Sequence, residues 1–326
     1  HNAVVCSEDF PHFDREAVSR FHFTVPESRQ AAFESLASRF ASRHQMALQV
    51  GFSHQEPATD TLAISAGGEI LRQADGRLLL RPGGHGALLR NLEGSGADVV
   101  VIKNIDNVAP ESRHAEVPSW HLRMVDLLLA TESRSHHLQE ALEGPNWEDA
   151  LEDAEAFCRQ QLAWSPQATS AEGRRSQILH RLDRPLRVCG MVRNEGEPGG
   201  GPFWVRGVEG DLSLQIVESA QIDAGDPQQA STWRDATHFN PVLLAASLRD
   251  RRGAPYRLEE FVDRRAVFVS EKTLDGHPAR VLEHPGLWNG AMAHWNTLFV
   301  EVPLVTFAPV KTVLDLLRPS HRTALE

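Results

Sequence analysis

Four short segments of this sequence carry residue types whose spacing suits chemistry on a phosphate-bearing ligand. The first is Pro82-Gly83-Gly84-His85-Gly86, a glycine-rich loop running into the helix-like Ala87–Leu92. Glycines let backbone N–H groups approach a ligand closely and a helix start favours anions, which together suit a nucleotide. A tight strand-to-helix turn with a surface histidine uses the same residues. The second is Asn104-Ile105-Asp106-Asn107, a carboxylate beside amides. A hard cation such as Mg²⁺ needs one such carboxylate, with phosphates and water as its other ligands; an Asx turn is the structural alternative. The third is Gln215–Gln221, where alternation sets Glu218 opposite Val217 and Ser219. There its carboxylate either accepts sugar hydroxyls or faces solvent. The fourth is Thr306–Leu317, with Lys311 where a strand gives way to a helix and a point cation can reach phosphate oxygens; a solvated surface side chain is the alternative reading of such a lysine. Lys103, Lys272 and Lys311 are the only lysines among 33 basic residues, and two of the three lie in or beside these segments.

These residues need elements to hold them. Ala32, Phe33, Leu36, Ala37 and Phe40 have the spacing of an amphipathic helix over 27–43. Strand-like runs follow at Leu48–Phe52 and Thr61–Ile64, and Ile70-Leu71 and Leu78–Leu80 flank an Asp75-Gly76 hairpin turn. Val99–Ile102 reads as a strand buried on both faces. Two helices come next, one with Leu122, Val125, Leu128 and Leu129 on one face, the other with Trp147, Leu151, Ala154, Cys158 and Leu162 after an Asn146 cap. Further strand-like runs lie at Leu186–Val192, Phe203–Arg206, Leu212–Ile222 and Leu298–Val305, before a short helix at Val310–Leu317. Strand, loop, helix, strand predicts a parallel sheet with Lys103–Asn107 at a carboxyl end, where open α/β sheets bind ligands. The glycine-rich stretch Gly196–Pro202 leads into no Gly-Lys-Ser or Gly-Lys-Thr and starts no helix, so it is not a P-loop.

Composition narrows the classes. The 326 residues are 41% hydrophobic and 24% charged, as expected of a folded chain. A net charge of −11 argues against nucleic-acid binding through a general basic surface. No apolar run approaches membrane-spanning length, and the start lacks a secretory pattern, so the expectation is a cytoplasmic protein. Cys6, Cys158 and Cys189 are too scattered for a disulfide framework or a thiolate metal site. His136 and His137, adjacent on a helix, point about 100° apart and cannot share an ion.

In order and in kind, the four segments resemble those of the UDP-sugar pyrophosphorylases, the UTP–sugar-1-phosphate uridylyltransferases of the nucleotide-diphospho-sugar transferase superfamily. Pro82–Gly86 looks like their Pro-Gly-His-Gly nucleotide loop, and Lys103–Val108 is similar to their Asn-Ile-Asp-Asn-Leu strand end. Leu214–Ile222 resembles their sugar-binding strand, and His238-Phe239-Asn240 a Phe-Asn-Thr-Asn-Asn segment. Phe307–Leu317 resembles a Phe-x-Pro-Val-Lys-x-x-x-Asp-Leu-Leu ending, and Phe52–Pro57 a stretch whose glutamine reads uracil. The resemblance covers islands between about residues 48 and 318 and suggests a divergent bacterial branch.

The resemblance implies a mixed, mainly parallel α/β sheet flanked by helices, of the GT-A or Rossmann-like kind. Residues 1–326 would form one nucleotidyltransferase-like domain with a helical insertion at about 112–182. Gln55, Gly84, His85, Gly86 and Asn104 would hold the uridine nucleotide, and Asp106 the Mg²⁺ and phosphates. Gly190, Glu218 and Asn240 would hold the sugar, and Lys311 would neutralise charge at the reacting centre. The implied reaction joins UTP and a sugar 1-phosphate into a UDP-sugar and pyrophosphate. The family's amino-terminal glycine-rich triphosphate loop has no counterpart, since the first glycine is Gly51 and the chain opens on His1. The expectation is a piece of a longer protein, inactive alone, and the alternative is a non-catalytic nucleotide-sugar binding or regulatory module.

Overall fold

The computed structural model describes residues 19–321 except 46, 66, 109, 111–115, 197–198, 208–209, 275–276 and 319. The first unit is β1 (Ser19–Thr24), α1 (Glu27–His44) and β2 (Leu48–Ser53), with β1 and β2 parallel in a two-stranded sheet. Pro26 caps α1, suited by its fixed φ, and a left-handed Gln45 (φ 52°) ends it. The apolar spacing does make a helix, yet no residue of α1 is fully buried. Phe33 meets Phe23 at 5.7 Å between ring centroids.

The chain continues through β3 (Thr61–Ser65), β4 (Leu80–Arg81), α2 (Leu89–Glu93) and β5 (Val99–Lys103). The Asp75-Gly76 hairpin forms, with Gln73 N–H donating to the Arg77 carbonyl and Gly76 at φ +84°. Next come α3 (Glu116–Glu143), α4 (Trp147–Gln161) and α5 (Ala171–Leu182). Asn146 stands at the start of α4 but makes no side-chain cap bond, so the expected cap is absent there. The remaining elements are β6 (Leu186–Arg193), β7 (Gly201–Arg206), β8 (Leu212–Val217), α6 (Pro227–Arg234), β9 (His238–Phe239), β10 (Leu243–Ser247), β11 (Phe268–Leu274), β12 (His277–Glu283) and β13 (Asn296–Glu301).

The central sheet has the order β13-β6-β10-β5, with β9 also paired to β6. β13 lies parallel to β6, but β10 runs against both β6 and β5. The expected mainly parallel sheet is therefore wrong: the described pairings are mostly antiparallel, β1–β2 and β6–β13 being the parallel ones. Three strands do share a direction, but β10, a five-residue Leu-Leu-Ala-Ala-Ser run, separates β5 from the other two. The expectation for Val99–Ile102 fails for the same reason. β5 ends the order of the sheet, and Val101 is 45% exposed.

Alternation along β6 builds two cores. Val188 and Val192 face α3–α5, packing with Leu128, Leu142, Cys158 and Ile178. Cys189 and Met191 face the opposite way, toward Leu89, Ile216, Met292 and Trp295. Each fully buried leucine among them contributes about 1.5–3 kcal/mol. Cys158 is thus a packing residue, and burial pushes its thiol up to about 12 and that of Cys189 up to about 11. Neither should react with a thiol reagent at pH 8 until the protein is denatured, whereas Cys6 lies outside the described residues. Labelling of two or more thiols per native chain would contradict this burial.

Candidate functional site

β5 ends in a turn whose Asn107 N–H donates to the Asn104 carbonyl at 3.3 Å, and the Lys103 ammonium donates to the Asn107 carbonyl. Asn107 is buried, and its amide reaches the other end of the chain. Nδ2 donates to the Thr306 carbonyl at 3.0 Å, and Oδ1 accepts from Ala308 N–H at 2.8 Å. Val108 N–H donates to the Ala308 carbonyl at 3.0 Å, and Val310 N–H to the Asp106 carbonyl at 2.7 Å. Two segments about 200 residues apart are thereby closed into one junction, with Asp106 bonded to the residue before Lys311.

Within the junction Asp106 is half-buried and Lys311 is exposed. The described hydrogen bonds of Asp106 use its main-chain carbonyl. Asp315 shapes the loop around Lys311: its Oδ2 accepts from Thr312 N–H at 2.7 Å and from Lys311 N–H at 2.9 Å. Those two bonds hold its carboxyl below the usual range. The Val310–Leu317 helix is a single 3-10 turn at Val313–Leu317. Asn107 and Asp315, which lie in the singled-out segments without an assigned role there, thus hold the shape of the junction. Lys103, half-buried and tied to Asn107, belongs to the same junction, whereas Lys272 pairs with Glu283 at 3.2 Å.

Gly190 and Asn240 also meet. Asn240 Nδ2 donates to the Gly190 carbonyl at 2.8 Å, and its Oδ1 accepts from Val242 N–H at 3.1 Å. A Cβ on Gly190 would stand 3.3 Å from Val302 Cγ2 and 3.4 Å from Leu243 Cδ2, so the glycine admits close packing there. Val242 has φ 56°, a costly conformation for a β-branched residue, and the Asn240 bond holds it. Leu243 pairs with Lys103, and Val302 N–H donates to the Met191 carbonyl. Gly190, Asn240 and the Asp106–Lys311 junction therefore share the end of the sheet where β5, β6 and β13 finish.

The glycine loop and Glu218 form a third cluster. Leu287 N–H donates to His85 Nδ1 at 2.9 Å, which leaves the ring's proton on Nε2, 3.4 Å from Glu218 Oε1. Trp288 Nε1–H donates to the same oxygen at 3.1 Å, and its ring stacks on His85 at 4.0 Å. Glu218 stands at the end of β8, capping a 3-10 turn with Gln221, rather than inside a strand. Gly200 lies against it, as a Cβ there would be 3.2 Å from Glu218 Cγ. The loop glycines have a packing role: a Cβ on Gly86 would be 2.0 Å from the Pro285 carbonyl oxygen, and one on Gly84, at φ +78°, 2.4 Å from Glu283 Oε2. Gln55 is half-buried, with its amide donating to Thr59 Oγ1 at 3.2 Å and Asp60 Oδ1 at 3.1 Å. Asn104, half-buried, closes the β5 turn through its carbonyl. Trp288 was not singled out from the sequence, although the Pro285-Gly286 and Asn289-Gly290 pairs around it mark two turns.

Burial acts to raise the pKa of Glu218, but the bonds from His85 and Trp288 outweigh it, and the carboxyl titrates below its usual range. A carboxyl with a folded pKa below its unfolded value of about 4.3 stabilises the fold above that value, and the contribution is lost as pH falls through the folded pKa. Glu218→Gln should therefore flatten the loss of stability below about pH 4.5, read from urea midpoints between about pH 3 and 6. An equally steep loss in wild type and variant would show that Glu218 gains nothing from these contacts.

No group of three or more His, Cys, Asp or Glu side chains among the described residues could hold a metal ion by itself. Asp106 fits a cation that brings its other ligands with it, namely phosphate oxygens and water. No described helix is long and apolar enough to cross a membrane.

Solved structures of similar shape include UDP-glucose pyrophosphorylase from Leishmania major. One point mutant of that protein, in complex with UDP-glucose, matches at TM-score 0.49 and 17% identity, over 97% of this chain and 57% of that one. Another point mutant, also with UDP-glucose, matches at TM-score 0.48 and 18% identity with the same coverage. A protein from Entamoeba histolytica, provisionally described as a UDP-N-acetylglucosamine pyrophosphorylase, matches at TM-score 0.46 and 13% identity, over 96% of this chain and 68% of that one. The chain spans 57% of the length of the Leishmania structures. No curated protein matches it in sequence. Residues 8–322 match one family throughout, and the chain belongs to that family, described as Domain of unknown function (DUF4301).

Proposed function

We propose that this chain carries the phosphate and sugar part of a nucleotidyltransferase site, in which a sugar 1-phosphate oxygen attacks the α-phosphorus of UTP and pyrophosphate leaves. The observation that carries this reading is the Asp106–Val310 bond. It ties the main chain of Asp106 to the residue before Lys311, the one lysine that resembles a phosphate ligand, which supports a site where both side chains serve the same phosphates. In-line phosphoryl chemistry needs positioning and charge neutralisation more than a side-chain base. When bound, Mg²⁺ would neutralise phosphate charge and polarise the attacked phosphorus. Asp106 would hold it jointly with the phosphates, and Lys311 would meet the leaving diphosphate from the exposed side.

Glu218 would orient the sugar indirectly. Its Oε1 is engaged by His85 and Trp288, so hydroxyl recognition falls to the edge of the stacked His85–Trp288 pair and to the second carboxylate oxygen. A nucleotide role for Gln55, Gly84, His85, Gly86 and Asn104 rests on the motif resemblance, because the glycines are also explained by packing on Glu283–Pro285.

A second reading, a nucleotide-sugar binding module without turnover, is favoured by that filled glycine loop and by the exposure of Lys311. One experiment separates the two. UTP, UDP-glucose and UDP-N-acetylglucosamine are titrated into the protein with and without Mg²⁺, and pyrophosphate release is measured with matching sugar 1-phosphates. A ligand at a hundredfold excess over its Kd raises stability by about 2.7 kcal/mol, well within reach of thermal unfolding. Mg²⁺-dependent UTP binding with pyrophosphate release supports the transferase, and UDP-sugar binding without release supports the module. Absence of binding by all three ligands would remove both.

A further inference from the structure

At the opposite end of the central sheet lies a polar cavity. It is bounded by the loop Leu162–Trp164, by Arg181 at the end of α5, by Leu212–Gln215 of β8, and by Trp295 and Thr297 where β13 begins. Its fully enclosed part holds no more than a water-sized particle, and the whole, about 280 Å³, opens to solvent. With so little enclosed space, an occupant is small and stands partly in solvent.

Two buried donors of the lining lack acceptors. Trp295 is 2% exposed and its Nε1–H has no partner among the described residues; the Nε–H of Arg181 is also buried without one. Behind Thr297, Arg187 is fully buried. Its Nε donates to Thr297 Oγ1 at 2.9 Å and one terminal nitrogen to the Trp288 carbonyl at 2.6 Å, while Nη2 has no partner. Both acceptors are neutral, so no described carboxylate offsets this charge by contact. Arg184 adds a further cation close to Arg181, and Asp211 is the carboxylate that partly offsets Arg181. Nearby Asp263 is already taken by Arg265 at 3.0 Å. Burial, reinforced by Arg184, pushes the Arg181 guanidinium down to about 10. Buried N–H groups and charges without partners are expensive, and an anion repays that cost for several of them at once.

We propose that this cavity is a binding site for a small tetrahedral oxyanion of the phosphate class, held by Trp295 Nε1, Arg181 Nε and the charge of Arg187. One oxygen would enter the enclosed part and the others would remain toward solvent, where a phosphate monoester can enter as well as the free ion. The site stands apart from the Asp106–Lys311 junction and does not depend on the reaction assigned there.

The test is thermal unfolding in inorganic phosphate against chloride at equal ionic strength, with glucose 1-phosphate as a parallel arm. Wild type should gain a phosphate-specific rise in Tm. Trp295→Phe, which keeps the ring but removes the N–H, and Arg181→Lys, which keeps the charge but removes Nε, should each weaken the apparent phosphate affinity about tenfold. Lys311→Ala should retain the rise. In Lys311→Ala, a rise with glucose 1-phosphate that the two cavity substitutions abolish would extend the site to monoesters, and no rise in that background would confine it to the free ion. The proposal is overturned if wild type shows no rise beyond chloride, which would mean that water fills the cavity. It is equally overturned if the rise survives both cavity variants or disappears in Lys311→Ala.

Discussion

Asp106→Asn should keep the fold and lose Mg²⁺-dependent nucleotide binding. The described bonds that tie Asp106 to the junction run through its main-chain carbonyl, which the substitution leaves intact. An amide, however, is a poor ligand for a hard cation and leaves phosphate charge uncompensated. The loss of a charge-assisted contact, about 1.5–3 kcal/mol, corresponds to at least about tenfold in affinity. Calorimetric titration of UTP with and without Mg²⁺ should show a steep metal dependence in wild type and a shallow one in the variant, with matching thermal midpoints. Equal metal dependence in both proteins would take Asp106 out of the site.

Gly86→Ala should have the largest effect on the fold. Its added methyl would be placed 2.0 Å from the Pro285 carbonyl oxygen, and the obstacle is backbone rather than a flexible side-chain end. Overpacking against an immovable neighbour costs about 3 kcal/mol. Moving Pro285 would also disturb Leu287, whose N–H sets the His85 tautomer, and with it the stacked Trp288. Urea unfolding should show the destabilisation, and Gly76→Ala, where a Cβ meets nothing within 4 Å but φ is +84°, should cost less, about 1 kcal/mol. Wild-type stability in Gly86→Ala would show that the loop does not pack as described.

The elements with strong periodicity were legible from the sequence. Residues 27–43, the Asp75-Gly76 hairpin, the helix carrying Cys158 and the Leu186–Val192 strand all form within a residue or a few of where the pattern put them. What pattern could not supply was pairing direction. β10 is short and alanine-rich, and its insertion between β5 and β6 turns an expected parallel neighbour into an antiparallel one. The same limit applied to burial, since an apolar run reads alike at the edge and in the middle of a sheet. β11 and β12 also went unseen, because the adjacent Glu271 and Lys272 in one and Pro278, Arg280 and Glu283 in the other break up any clean apolar alternation.

The site was legible as residue types and less so as contacts. The segments containing Asp106 and Lys311 were read separately, and nothing in either announces that Asn107 staples them together. Glu218 was placed in a strand with a free carboxylate, but a tryptophan seventy residues on occupies one of its oxygens. The loop glycines looked like room for a ligand, and the room is largely filled by Glu283–Pro285. Glycine spacing identifies close approach without saying what approaches.

In the proposed site Asp106 and Lys311, on segments joined by the junction, act on the same phosphates. A double-mutant cycle tests this shared action most directly, with Asp106→Asn, Lys311→Ala and the double variant each titrated with UTP in Mg²⁺. Groups that serve one ligand through one network couple by about 0.5–3 kcal/mol, whereas independent sites add to within about 0.3–0.5 kcal/mol. Each single variant should weaken binding, and the double variant should weaken it by clearly less than the sum. Strict additivity, or no effect of Lys311→Ala on binding, would contradict the shared action.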